Sequence, residues 1–153
     1  MKLQLLAVGR VRETYIAAAC DDYRTRLRRY ASLDEVEIAA SHGGDPQRAI
    51  DEEGARILTR VDPAGPVWLL ERTGAQLSSV ALAEWLRSLA ETGTTRLTIV
   101  VAGTYGASEA LLARATWRWS LSELTLLHEW ARALVLEQLY RAAKIARNEP
   151  YHH

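Results

Sequence analysis

The residues of this 153-residue chain that invite chemistry gather toward its end, where Tyr151, His152 and His153 form an aromatic, imidazole-rich tip. Imidazole is the side chain whose unperturbed pKa lies nearest neutrality, so such a tip is a place to look for a proton acceptor. The bland alternative is a solvated tail, since termini are ordinarily low in information. The four histidines are His42, His128, His152 and His153; no pair has helical i, i+4 spacing and none has a cysteine partner, so no metal is expected. There is no Gly-x-Ser-x-Gly elbow for a serine hydrolase. Cys20 is the only cysteine, which excludes an internal disulfide and fits a reducing cytoplasm. Its neighbours Asp21 and Asp22 discourage a thiolate, so it reads as a structural thiol.

Two further stretches carry chemistry of another kind. Residues 10–30 hold Arg10, Arg12, Arg24, Arg26, Arg28 and Arg29 against Glu13, Asp21 and Asp22 in a chain whose overall formal charge is zero. Arg24 and Arg28, four apart, share a helix face. That stripe is either a phosphate-binding patch or a solvated face. Leu70-Glu71-Arg72-Thr73-Gly74 and Ala102-Gly103-Thr104-Tyr105-Gly106 each follow an apolar run, and small residues there let a backbone approach a ligand. Neither has the spacing of a dinucleotide or phosphate-binding loop, and ordinary tight turns remain an alternative. Five tryptophans (Trp68, Trp85, Trp117, Trp119, Trp130) sit at positions suited to a core or a subunit interface.

The elements that must position these residues alternate in type. Lys2–Val8 is an expected strand, Tyr15–Tyr30 a helix, Val36–Ile38 a short strand, and Asp45-Pro46 cap and open a helix reaching about Arg60. Val67–Leu70 reads as a buried strand, Ser78 or Ser79 starts a helix through Leu89, and Leu97–Ala102 is the strongest strand. A short helix, a Trp117–Trp119 segment and a long final helix follow. Alternating strands and helices argue an α/β fold around a mainly parallel sheet, whose ligands lie beyond the carboxyl ends of the strands. The composition, 48% hydrophobic and 25% charged, is that of an ordinary globular protein, and the length suits a single domain spanning 1–153. No apolar run approaches the roughly 20 residues of a membrane span, and the Met1–Gly9 opening is too short and polar for a signal peptide, so a cytoplasmic protein is expected.

In combination these runs resemble the RlmH-type methyltransferases of the SPOUT superfamily, which methylate N3 of a pseudouridine in 23S rRNA. The likeness is carried in order by Ala7-Val8-Gly9, Glu53-Gly54 with Ile57-Leu58, Leu70-Glu71 with Gly74 and Ser78-Ser79, and Ala102-Gly103-x-x-Gly106. It continues through Ser120-Leu121-Ser122, Leu124-Thr125, His128, Arg132, Glu137 to Ala142, Ile145, and Pro150-Tyr151-His152, and this final third is its most specific part. The resemblance implies a SPOUT-type α/β fold with a C-terminal trefoil knot, a homodimer, and S-adenosyl-L-methionine as cofactor. The donor would lie among three loops, at Leu70, at Ala102, Gly103 and Gly106, and at Leu121, Ser122, Glu123, Leu124, Thr125 and Leu126.

The same resemblance suggests His152 as general base, Tyr151 as the group orienting the acceptor, and Arg141 for phosphate or a developing oxyanion, although Arg141 is equally a structural interface arginine. Arg132, His153, Arg24 and Arg28 are the candidate contacts to 23S rRNA within the ribosome, and the tail is expected to reach the partner's site. Three departures stand out: Ala102 for a usual glycine, Leu127 for a usual proline, and His153 for a usual Lys or Arg. They keep open a second reading, a non-catalytic ribosome-binding module with the same fold.

Overall fold

The computed structural model describes residues 1–151. Its elements run β1 (Lys2–Val8), α1 (Thr14–Leu27), β2 (Ser32–Ile38), α2 (Pro46–Leu58), β3 (Val67–Ala75), α3 (Ser79–Glu91), β4 (Arg96–Val101), α4 (Glu109–Arg114), β5 (Trp117–Trp119) and α5 (His128–Ala146). The strands form a five-stranded sheet in the order β2-β1-β4-β3-β5, with every pairing parallel. This is the α/β architecture that the alternation of elements predicts.

Period-two patterning splits the core into two layers, because successive strand residues point to opposite faces. Leu3, Leu5 and Ala7 of β1 and Leu97, Ile99 and Val101 of β4 pack with Ile16 of α1, Leu82 of α3 and Leu136 of α5. Leu6 and Val8, with Val100 of β4, face the other way onto Ile57 of α2 and Leu111 of α4. Both faces of the sheet are therefore covered, and strands buried on both faces are apolar almost throughout, as β4 is.

Helix boundaries follow their caps. Asp45 accepts the Gln47 N–H at 3.0 Å with Pro46 at the first helical position, and Ser78 accepts from Ala81 at 3.1 Å, so both of these starts were legible. α1 stops at Leu27, earlier than Tyr30, because after the Arg28 N–H to Arg24 bond residues 29 and 30 leave the helical ladder for tighter bonds, Arg29 N–H to Arg26 and Tyr30 N–H to Leu27. β2 begins at Ser32 rather than Val36, paired with β1 from Lys2 onward; its polar Asp34 and Glu35 hid it, as befits an edge strand. β3 continues past Leu70 to Ala75 through an irregularity, since both Leu70 and Ala75 pair with Trp119.

Trp68, Trp85, Trp117 and Trp119 form one cluster at the β3–β5 edge against α3, with ring centroids 4.8–6.2 Å apart in neighbouring pairs. Trp130 instead lies on the outer face of α5, 41% exposed and paired with the exposed Tyr15 at 6.0 Å. No described helix is long and apolar enough to cross a membrane.

Candidate active site

The irregularity in β3 builds the first wall of a cavity. Residues 71–74 bulge away from β5 and bring Glu71 and Arg72 to the rim, while Ala75 re-enters the sheet. Gly74 makes this possible: a Cβ there would lie 2.6 Å from the Arg118 backbone carbonyl carbon and 3.0 Å from the Glu71 oxygen. The second wall is the turn after β4, where Gly106 donates its N–H to the Gly103 carbonyl at 3.0 Å and takes φ +96°, a conformation that favours glycine. The third is the stretch from Ser120 to Leu126. Ser120, buried, shares its hydroxyl between the carbonyls of Arg72 at 2.9 Å and Ser122 at 3.0 Å, and Ser122 Oγ accepts the Leu124 N–H at 3.0 Å. One hydroxyl thus ties the first wall to the third.

The cavity these walls enclose, about 220 Å³, opens at the carboxyl ends of β3, β4 and β5. Leu70, Ala102, Gly103, Gly106, Leu121, Ser122, Leu124 and Leu126, from three segments distant in sequence, all line this one cavity. Glu123 and Thr125 belong to the same loop without lining the cavity. Glu71, Arg72, Thr104, Trp119, His128 and Ala131 line it too. Of these, Glu71, Arg72 and Thr104 fall in the two loops the sequence singled out and His128 is one of the residues carrying the family likeness; Trp119 and Ala131 had no signal as lining residues.

Two of the departures from the family pattern are accommodated by the backbone. Among the described residues, Asn148 alone of the non-glycines has positive φ, so Ala102 occupies a conformation any residue adopts. Leu127, capping α5, has φ −58° and ψ 134°, angles a proline would also take, so the turn into His128 keeps its form without the ring.

Gly103 has a different reason for being glycine from the one ligand approach suggests. A Cβ there would collide with Glu53 Oε2 and come within 3.1 Å of Val8 Cγ1. Glu53 is a buried carboxylate of α2 whose other oxygen accepts the Ser41 N–H at 2.9 Å. The glycine makes room for a carboxylate behind the loop.

The candidate polar residues divide between two places. Arg132 is 3% exposed: it donates to the Gly9 carbonyl, lies 4.0 Å from Glu37, and leaves its Nε without a partner among the described residues. A side chain so buried holds the β1–α1 loop, and it lines the same cleft as Arg24 and Arg28. Arg24 and Arg28 do share a face, lining one cleft together with Arg10. Arg24 is engaged with Glu35 at 2.6 Å and also with Asp21, and these acidic partners, the Glu35 hydrogen bond first, push its pKa up. Arg28 is exposed.

Tyr151 and Arg141 lie together beside the last helix. Tyr151 donates its hydroxyl to Glu137 at 3.1 Å and packs edge-on against Tyr140 at 4.9 Å. Arg141 bonds Glu137 at 3.0 Å with its guanidinium 4.6 Å from the Tyr151 ring centre. Burial first, then the Tyr23 hydroxyl and the Glu137 carboxylate, raise the Tyr151 phenol well above its usual range, so it is a neutral donor at physiological pH. Neither residue lines the cavity. His152 and His153 fall outside the described residues.

The chain matches, over residues 1–152, the model of a family described as "Predicted SPOUT methyltransferase". It is similar to the ribosomal RNA large subunit methyltransferase H of Gloeobacter violaceus, 40% identical over 154 residues that cover 100% of this chain and 99% of that protein. The protein of the same name from Pelobacter propionicus is 39% identical with both chains covered completely. That from Anaeromyxobacter sp. is 42% identical over 99% of each.

Proposed function

The chain belongs to the SPOUT methyltransferase family, and on that premise we propose that it transfers a methyl group from S-adenosylmethionine to N3 of a pseudouridine in 23S rRNA, acting as a homodimer on the assembled ribosome in the cytoplasm. The observation that carries the reading is the convergence of three loops on one cavity at the carboxyl ends of β3, β4 and β5, where an open α/β sheet takes its ligand. A trefoil knot threading those loops belongs to the same proposal.

The cavity's own chemistry suits the donor. Leu70, Leu121, Leu124 and Leu126 give apolar walls for a flat heteroaromatic ring, and the turn from Gly103 to Gly106 offers backbone groups along another side. Glu71 at the rim offers a carboxylate to a cationic group. When bound, S-adenosylmethionine supplies an electrophilic methyl group on sulfur, so the chain's task is to orient and to take up one proton. The acceptor N3–H is an imide, and its proton passes to a base as the new N–CH3 bond forms.

Two imidazoles are available for that proton. His152, in the tail, is the base the family resemblance suggests, with Tyr151 ordering the base ring and Arg141 at phosphate or a developing oxyanion. In the fold of one chain Tyr151 and Arg141 stand apart from the cavity, so these roles require the tail and α5 of a second chain. His128 favours a second assignment, because it lines the cavity within the same chain. The retained cavity speaks against the non-catalytic reading.

Calorimetry with S-adenosylmethionine, followed by transfer of tritiated methyl to large ribosomal subunits and to free 23S rRNA, tests the proposal. Binding together with N3-methylpseudouridine in the digested product is the expected result. Absence of donor binding would remove the enzyme reading.

A further inference from the structure

Beside the donor cavity lies a second cleft of about 300 Å³, and the two share Gly103, Thr104 and His128. Its mouth is formed by the β1–α1 loop with Arg10 and Arg12, the β2–α2 loop with His42, and Tyr105 on the turn after β4. We propose that this second cleft seats the acceptor nucleotide, with Arg10 and Arg12 on its flanking phosphates and Tyr105 against a base. The proposal rests on the donor occupying the first cavity.

The charges facing the cleft are distributed to suit an anion. Glu53 and Glu129 line it, and both carboxylates are committed to backbone amides. Glu53 accepts from Ser41 at 2.9 Å, and Glu129 Oε2 accepts from Arg12 at 3.0 Å and Glu13 at 3.2 Å. Arg10 and Arg12, both exposed, have no ion pair among the described residues. Unpaired guanidiniums at the mouth of a cleft form the electrostatic footprint of phosphate binding. Arg10 also lines the neighbouring cleft, where Asp21 and Glu35 are paired with Arg24, Glu37 lies by Arg132, and Arg28 is exposed, so a path of exposed arginines runs from Arg12 across Arg10 to Arg28.

The site is built rather than incidental. The loop presenting the two arginines is clamped from α5 at both ends: Arg132, buried, bonds the Gly9 carbonyl, and Glu129, 6% exposed, bonds the Arg12 and Glu13 amides. Tyr105 is 58% exposed on the turn that walls the donor cavity, an aromatic face of the kind on which an unstacked RNA base rests. An acceptor held here lies next to the donor across Gly103 and Thr104, which methyl transfer between two bound molecules requires.

The test compares the full-length wild type with an Arg10→Gln/Arg12→Gln double variant and with Tyr105→Ala, all at exposed positions. S-adenosylmethionine affinity is measured by calorimetry. Association with unmethylated large ribosomal subunits is measured by co-sedimentation across a salt series, with methyl transfer at saturating donor. Donor affinity should stay within twofold in each variant. The double variant should raise KM for subunits about tenfold or more and flatten the salt dependence of binding by about one to two contacts. Tyr105→Ala should raise KM with the salt dependence intact. Unchanged KM and salt slope in the double variant would overturn the assignment, and so would a parallel loss of donor affinity, which would make the cleft part of the donor site. Failure of the wild type to bind donor would instead bring down the donor cavity, and the inference with it.

Discussion

Replacing Glu129 tests how the fold holds its second cleft. Its Oε2 accepts two amides from a loop 116 and 117 residues distant in sequence, at 3.0 and 3.2 Å. A hydrogen bond to a charged acceptor contributes about 1.5–3 kcal/mol. The carboxylate also sits in the first turn of α5, where an anion gains about 0.3–1 kcal/mol from the helix dipole. Because Arg12 and Glu13 are exposed, water re-solvates their freed amides, which favours the low end of both ranges. Glu129→Ala is therefore expected to cost about 2–4 kcal/mol, and Glu129→Gln, which keeps a neutral acceptor, about half of that. Urea unfolding at one fixed protein concentration measures both, since the apparent stability of the proposed homodimer would depend on concentration. Amide exchange at Arg12 and Glu13 should accelerate in step.

RNA binding gives this experiment a second, opposite sign. Losing a carboxylate beside two arginines would strengthen phosphate binding if charge alone mattered. A loosened loop predicts weaker binding to ribosomal subunits, because the arginines are no longer pre-oriented. A Glu129→Ala variant within 0.5 kcal/mol of wild type, or one that binds subunits more tightly, would refute the clamp.

Gly103→Ala should weaken donor binding at least tenfold by displacing Glu53, and adding Glu53→Ala should recover much of it; wild-type affinity in the single variant would show that the turn absorbs the methyl group. Leu127→Pro should stabilise the protein by about 0.4–1 kcal/mol, because φ is −58° and the residue's N–H has no bond among the described residues; thermal unfolding reads this. Glu149 is held below its ordinary pKa of 4.5, by the Lys144 ammonium first and the Tyr30 hydroxyl second. A depressed carboxylate stabilises above its unfolded pKa and loses that contribution as pH falls through the folded value, so the stability gap between wild type and Glu149→Gln should be constant near neutrality and close below about pH 4.5. Deleting Tyr151, His152 and His153 should leave donor affinity intact and abolish methyl transfer, measured with the same tritium assay; normal turnover would free the tail of any catalytic role.

The sequence exposed most of the fold because its strands are buried on both faces and its helices carry strong caps. β4 and the start at Asp45-Pro46 are legible for those local reasons. β2 and the end of β3 were obscured where tertiary pairing overrides local preference, in an acidic edge strand and in a strand that breaks register around Gly74. The cavity proposed for the donor lies where small and apolar residues follow strands, as the sequence suggests, yet its reach to Trp119 and Ala131 depends on how loops meet, which no local pattern encodes.

Arginine in the final helix shows the limit of reading charge from a sequence. Arg132 and Arg141 are alike as letters, and both suit a phosphate. The fold turns Arg132 inward onto the Gly9 carbonyl and sets Arg141 against Glu137 beside Tyr151. An arginine turned onto the protein contributes to nucleic-acid binding by shaping the surface that does the contacting. Arg10 and Arg12, which precede the first helix, have no ion pair among the described residues and stand on a loop whose backbone Glu129 and Arg132 hold. On the proposed reading, the residues that touch RNA and the residues that make touching possible come from opposite ends of the chain, and the start of α5, through His128, Glu129 and Arg132, supports both neighbouring cavities.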